Sequence, residues 1–245
     1  MKIGIIIQAR SGSQRLPNKI LKPFYQTDTI LDIQIKKLKQ LSLPIVVATT
    51  KSESDSKIVD IAKKHNVLYF TGSENNVLSR FIDTAQKYQF THLVRICSDN
   101  PFLSLKFVKE LIPFANQKYD YVSHYINEHP SIITHWGIFG ELVSLKSLQS
   151  IENKTNNSLY LEHVTNYIHT HPKLYSIKQL AVTDSIRASK NIRLTVDTES
   201  DFLEMKKLYQ NYFNNFDDFE VDKLLTLIDP ILLKQMQKSI ANNSK

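Results

Sequence analysis

Three cations stand close together near the start of the chain, Arg10, Arg15 and Lys19, within the segment QARSGSQRLPNK. With Lys2 and Lys22 they carry +5 over the first 27 residues, ahead of the first acid at Asp28, so the other 218 residues contribute only +2 of the net +7. Forked guanidiniums and backbone N–H groups suit phosphate oxygens, and Ser11, Gly12, Ser13 and Pro17 break regular structure around them. The pattern reads as a polyphosphate cradle, with a solvated basic loop as the bland alternative. Two later acids could complete such a site. Asp99 follows the apolar Leu93, Val94 and Ile96 and immediately precedes Asn100 and Pro101, and Asp197 follows Ile192, Leu194 and Val196 in the same way. A carboxylate facing a triphosphate is repulsive unless a divalent cation lies between them, and Mg²⁺ takes both carboxylate and phosphate oxygens. Asp99 and Asp197 are therefore read as metal ligands holding one ion from two sides, with turn or helix-start roles as the alternative.

The elements that must position these groups alternate between strand and helix. Ile3, Ile5, Ile6 and Ile7 make a β-branched run without polar alternation, the pattern of a buried parallel strand, and open α/β sheets bind ligands beyond the carboxyl ends of such strands. A helical stripe follows at 30, 31, 35, 38 and 41, with lysines on its other side. Residues 44–50 read as a second buried strand, 55–65 as a helix with Asp55 near its N-cap, 67–72 as a third strand and 76–88 as a helix. Residues 92–103 form the fourth strand and its exit loop, 105–115 a helix and 119–125 a further strand. Such alternation marks a right-handed parallel sheet. Segment 125–141, with the sole Trp, Gly137 and Gly140, is expected to border either an acceptor or a partner subunit. The histidines His124, His129 and His135 fit no zinc spacing and are expected to pack or lie at the surface. Residues 156–172 read as one helix burying Leu159, Leu161, Val164, Tyr167 and Ile168, with His169 and His171 at its end. Residues 192–196 read as an alternating strand, and Thr198 begins a helix whose early acids Glu199 and Asp201 suit the positive end of its dipole. Helices continue to about residue 240, divided by Pro230, and 241–245 is expected to be a disordered tail.

At 245 residues and 42% hydrophobic content, the chain is expected to form one domain over 1–240. The single cysteine, Cys97, excludes an internal disulfide and a cysteine-based zinc cluster. The first apolar run is too short for a signal peptide, and no run is long enough to span a bilayer, so a cytoplasmic location is expected. The basic balance invites nucleic acid, yet aromatic and basic residues do not interleave and no zinc-finger or RNA-recognition signature occurs. Neither G-x-x-x-x-G-K-[ST] nor G-x-G-x-x-G is present, which disfavours P-loop NTPases and dinucleotide-binding enzymes.

The string IIQARSGSQRLPNKIL resembles the N-terminal motif of the cytidylyltransferases that activate acidic sugars, nearest the spore-coat polysaccharide biosynthesis type and more distantly CMP-Kdo and CMP-sialic acid synthetases. The resemblance implies that the loop wraps the triphosphate of CTP. Arg10, Arg15 and Lys19 would be its phosphate cations, with Ser11 and Gly12 in the same loop and Gln8 and Ala9 where the base is approached. Asn18 stands where the family commonly has glycine; asparagine tolerates a left-handed backbone better than most residues. SDNPF (98–102) resembles the family's GDxPL, with Ser98 for its glycine, and LTVDTESDF resembles LTVDTPEDL, whose first aspartate is a metal ligand. VLSRF implies that Arg80 contacts ribose or base, an ordinary solvated helix arginine being the alternative. EHVTNYI makes Glu162 and His163 acceptor-side groups, although adjacent residues on a helix diverge by about 100°. The implied fold is a three-layer α/β/α sandwich with a mixed, mainly parallel sheet, of the nucleotide-diphospho-sugar transferase kind. The implied enzyme is a homodimeric, Mg²⁺-dependent cytidylyltransferase moving CMP from CTP to a nonulosonic-type acidic sugar with release of pyrophosphate. A sugar phosphate acceptor, a glycosyltransferase of the same fold and a non-catalytic nucleotide-binding module are the alternatives. No D-x-D pair occurs near Asp99 to favour the glycosyltransferase, and a binding module would not need both aspartates.

Overall fold

The computed structural model describes residues 2–242. Its strands are β1 (Ile3–Gln8), β2 (Pro23–Tyr25), β3 (Asp28–Thr29), β4 (Ile45–Thr50), β5 (Leu68–Gly72), β6 (His92–Cys97), β7 (Tyr121–Ile126), β8 (His129–Pro130), β9 (Glu141–Ser144) and β10 (Ile177–Ala181). The helices are α1 (Ile30–Leu38), α2 (Ser56–Lys64), α3 (Val77–Lys87), α4 (Leu105–Leu111), α5 (Leu145–Glu152), α6 (Ser158–Glu162), α7 (Asn166–Thr170), α8 (Asp184–Ala188), α9 (Glu199–Asn215), α10 (Val221–Thr226) and α11 (Pro230–Asn242). One eight-stranded sheet runs β10-β7-β9-β6-β1-β4-β5, with β8 added to β7. Strand β1 is central and parallel to both β4 and β6; β9 runs against its neighbours β6 and β7. The mixed, mainly parallel sheet expected from the sequence is the one observed.

Central placement explains the β1 pattern. Ile5, Ile6 and Ile7 are fully buried because helices cover both faces. On one face Ile5 and Ile7 pack with α1, α2 and α4 through Leu31, Ile35, Ile58, Val108 and Leu111. On the other Ile6 packs with α3, α5 and α7 through Leu78, Phe81, Leu148 and Ile168. A third cluster joins the β2–β3 hairpin to α9–α11, with Phe24, Phe102, Trp136, Tyr209, Tyr212, Leu224 and Met236 at its centre. Register then sets the site. Gln8 ends β1 beside Ala48 of β4 and Cys97 of β6, so the loop that follows runs between the ends of those two strands.

Several expectations are corrected by the fold. Residues 156–172 do not make one helix: α6 ends at Glu162, His163 leaves helical geometry at φ −101° and ψ 77°, and α7 starts afresh at Asn166. Leu159, expected in the core, is 49% exposed. Residues 192–196 are extended but lie outside the sheet, tied instead by the Leu194 N–H to His135 O at 2.9 Å and by the Val196 N–H to Asp99 O at 3.0 Å. Both alternating sets are buried there, Arg193 and Thr195 as well as Leu194 and Val196, so the period of two reflected burial between loops and not strand pairing. Asp55 occupies the N-cap position of α2 without capping it. Of the expected tail, Ala241 and Asn242 extend α11, and 243–245 lie outside the described residues. Lys37, expected on a solvated face of α1, packs its ammonium over Tyr209, Phe213 and Phe219 at 5.3–5.5 Å.

Candidate active site

The loop after β1 is held in shape by one buried carboxylate. Asp55 Oδ1 accepts from the Ser11 N–H at 2.8 Å and the Ser11 hydroxyl at 2.5 Å. Its Oδ2 accepts from the hydroxyls of Thr49 and Thr50 at 2.8 and 2.6 Å and from the Thr50 N–H at 3.1 Å. Burial pushes the Asp55 carboxyl up, but the bonds from Ser11, Thr50 and Thr49 together outweigh it and keep it below the ordinary carboxylate range. Asn18 turns the chain at φ 60°, the left-handed conformation that the family's glycine would supply, and the turn Lys19–Leu21 follows. Ala9, Ser11 and Gly12 therefore shape the loop and do not line the cleft, whereas Gln8, Arg10, Arg15 and Lys19 do.

That cleft has a volume of about 950 Å³ and brings together groups from five separate stretches of sequence. Lys19 Nζ lies 3.5 Å from Asp99 Oδ2 and 3.3 Å from Asp197 Oδ1, so the two carboxylates converge on one ammonium. Arg15 approaches Asp197 Oδ1 at 3.1 Å, and Arg10 approaches Glu162 Oε1 at 3.2 Å. The loop cations, without acid neighbours in sequence, thus have acid partners contributed by residues far along the chain. Three cations face three carboxylates, and the cluster is balanced before any ligand enters. Glu162 and His163 both line the cleft, and the break in helix after α6 is what removes the divergence expected of helical neighbours. Segment 131–140 contributes Ser131, Thr134, Gly137 and Gly140 to the wall, so the region around the sole Trp borders the cleft.

Two further layers escaped the sequence reading. Arg193 is buried behind Asp197, donating from Nη2 to Asp197 Oδ2 at 2.8 Å and to Asp201 Oδ2 at 2.9 Å, and from Nε to Asp201 Oδ1 at 3.0 Å. Its Nη1 lies 2.6 Å from His135 Nδ1. This fixes Asp197 with Oδ2 turned inward and Oδ1 toward Lys19. Burial raises the Asp201 carboxyl, but the Arg193 hydrogen bonds and charge prevail and hold it at about 2. Asp201 also closes the capping box of α9 with Thr198, as its place near the helix start suggested. The available signal was a lone arginine within an alternating apolar run. The second layer is Arg95, which donates to Glu141 Oε1 at 2.5 Å and to Gln8 Oε1 at 2.9 Å; Tyr121 and Thr165 donate to the same Glu141. Because the Arg95 donors fix the Gln8 amide oxygen, the amide NH₂ of Gln8 is left as that side chain's donor.

Arg80 is placed differently from the expectation. It is fully buried and absent from the cleft lining, its Nη1 donating to Ser73 O at 2.7 Å while Nε and Nη2 have no hydrogen-bond partner among the described residues. Burial, with Arg10 adding like charge, lowers its guanidinium to about 10. It is neither a solvated helix arginine nor in reach of the cleft in this conformation. Ser98 and Asp99 line the cleft at the end of β6, and Gln34 holds that turn by donating to Cys97 O at 2.9 Å and Asn100 O at 2.8 Å.

A cleft across the carboxyl ends of β1 and β6 in a mixed, mainly parallel sheet, lined by loop cations and two aspartates, is the architecture of a nucleotidyltransferase. The family model described as cytidylyltransferase matches residues 4–220, and the chain belongs to that family. It is 33% identical over 237 residues to the spore coat polysaccharide biosynthesis protein SpsF of Bacillus subtilis, covering 91% of this chain and 92% of that one. A cytidylyltransferase structure from Leptospira borgpetersenii superposes with a TM-score of 0.82 at 28% identity, covering 100% of this chain and 98% of the other. The structure of a CMP:2-keto-3-deoxy-manno-octonic acid synthetase complexed with CTP shares the fold, with a TM-score of 0.64 at 13% identity over 86% of this chain and 99% of that one. No helix among the described residues is long and apolar enough to cross a membrane.

Proposed function

We propose that the protein transfers CMP from CTP to an acidic sugar, releasing pyrophosphate. The observation that carries this reading is the convergence of Asp99, Asp197 and Lys19 on one point of a cleft also lined by Arg10 and Arg15. An acceptor hydroxyl oxygen attacks the α-phosphorus, the bond to the bridging oxygen of the β-phosphate breaks, pyrophosphate leaves, and the hydroxyl proton is lost to solvent or a nearby base. Such a reaction needs positioning and charge neutralisation more than a nucleophilic side chain.

Arg15 and Lys19 are held on Asp197 before substrate binds, and phosphate oxygens can take over those donors with little movement, since Arg15 is half exposed. Because the cluster is already balanced, a triphosphate brings negative charge that the side chains alone leave uncompensated. The donor set fits Mg²⁺: two carboxylates already share a single cation, and this ion binds through one or two carboxylates together with substrate phosphates and water. Asp99 and Asp197 would hold the ion, which when bound supplies electrophilic polarisation of the α-phosphate. Arg193 keeps Asp197 aimed, and Asp55 keeps the loop closed around the β and γ oxygens. A volume of about 950 Å³ is at the upper end of ordinary ligand clefts and accommodates a nucleotide with a sugar beside it. Cytidine is supported by the family, and an acidic sugar by the named substrate of the CMP:2-keto-3-deoxy-manno-octonic acid synthetase.

The test is pyrophosphate release with each of the four ribonucleoside triphosphates, Mg²⁺, and a panel of acidic sugars and sugar 1-phosphates. Release is expected with CTP and an acidic sugar. Equal rates with ATP or GTP, or turnover restricted to sugar phosphates, overturns the assignment.

A further inference from the structure

Four buried polar atoms on cleft-lining residues have no hydrogen-bond partner among the described residues: both ring nitrogens of His169, and one atom each on Asn100 and Thr195. The amide oxygen of Asn100 and the hydroxyl of Thr195 lack a hydrogen-bond partner among the described residues, although their residues are only 5% and 2% exposed. Both residues line the cleft, Asn100 next to Asp99 and Thr195 two residues before Asp197. Gly137 lies between them with φ 58°. A Cβ built there would stand 2.9 Å from Thr195 Cγ2 and 3.0 Å from Asn100 Oδ1, so the gap between the two side chains is open because residue 137 has none. Buried polar atoms in folded proteins are almost always paired, and a pair left open at a cleft wall is a site waiting for a ligand's groups.

The chemistry of the gap selects those groups. Asn100 Oδ1 needs a donor, and the Thr195 hydroxyl can donate or accept. Among the described residues, Arg193 behind the wall is engaged with Asp197, Asp201 and His135, and Lys19 with Asp99 and Asp197, so an uncharged group suits the gap better than an anion. We propose that Asn100, Thr195 and Gly137 form a niche for an uncharged substituent of the acceptor, one that donates and accepts at once: a hydroxyl or an acylamino group. A hydroxyl donates to Asn100 and accepts from Thr195; an acylamino group does the same with its N–H and C=O. This rests on the nucleotidyl-transfer reading and adds to it the substituent by which the acceptor is recognised.

Thr195→Val is the deciding variant, because it keeps the side-chain shape and removes a hydroxyl that has no partner in the free protein. Relieving an unpaired buried hydroxyl is expected to raise the melting temperature by about 2–4 °C. With N-acetylneuraminate or 3-deoxy-manno-octulosonate as acceptor, the same variant is expected to raise the acceptor KM about tenfold, the loss of one hydrogen bond, with the CTP KM within a factor of about two. Asn100→Ala should raise the acceptor KM likewise. An effect confined to N-acetylneuraminate assigns the niche to the acylamino group, and an effect with both sugars assigns it to a hydroxyl. A Thr195→Val protein that melts below the wild type, or an acceptor KM that does not change, overturns the niche. If the wild type uses neither sugar, the acidic-sugar reading fails for them, and a Thr195→Val protein that melts below the wild type still overturns the niche.

Discussion

Asp55 offers the sharpest test of how the loop is built. Its carboxylate accepts five hydrogen bonds, two of them from backbone N–H groups, Ser11 at 2.8 Å and Thr50 at 3.1 Å. Asp55→Asn preserves size but replaces one acceptor oxygen with an NH₂ group. The hydroxyls of Thr49, Thr50 and Ser11 can rotate to accept from it, but a backbone N–H cannot. Whichever way the amide turns, one N–H is left facing a donor in a buried site. Losing one bond to a charged acceptor and stranding its donor costs about 3 kcal/mol in all. For a protein of this size that corresponds to a fall in melting temperature of roughly 6–12 °C. The loop carrying Arg10, Arg15 and Lys19 loses its anchor at the same time, so CTP affinity measured by calorimetry should fall with stability measured by thermal or urea unfolding. A variant melting within about 2 °C of the wild type with unchanged CTP affinity would refute the reasoning.

Asp99→Asn or Asp197→Asn should lower pyrophosphate release by at least about 100-fold while the circular dichroism spectrum is retained, and normal rates in either would sink the two-carboxylate arrangement. Arg15→Ala removes a charge-assisted phosphate contact and should weaken CTP binding by about 1.5–3 kcal/mol, less at high salt because the side chain is half exposed. Arg193→Met strands Asp197 and Asp201 against each other and should cost about 3–5 kcal/mol in urea unfolding, so an unchanged midpoint contradicts its role. Asp55 and Asp201 have folded pKa values below their unfolded ones, Asp201 at about 2. Their contribution is therefore fully present above about pH 4 and lost as pH falls toward 2, which acid unfolding of the wild type and of Asp55→Asn compares directly.

What could be read from the sequence is what short-range patterns encode. The unalternating isoleucines of β1, the apolar stripes of α1 and α3 and the Thr198 to Asp201 helix start all follow from periodicity and capping, which need only neighbouring residues. The clustering of Arg10, Arg15 and Lys19 was equally visible, as were Asp99 and Asp197 at the ends of apolar runs.

Partnership across distance was not legible in this way. The basic loop looked free of acids because Glu162 and Asp197 lie 152 and 182 positions beyond the arginines they meet. Asp55 read as a helix cap because a cap and a loop anchor have the same sequence signature, and only the register that sets Gln8 beside Ala48 brings Ser11 within its reach. Residues 192–196 alternate like a strand in sequence, yet both sets are buried between loops, Arg193 through its ion pairs with Asp197 and Asp201. Sequence alone settled most of the strands and helices up to residue 125 and the types of side chain able to do chemistry. The tertiary structure decided which of them share a cleft, because charge pairing and burial are fixed by separation in space, which the chain order does not state.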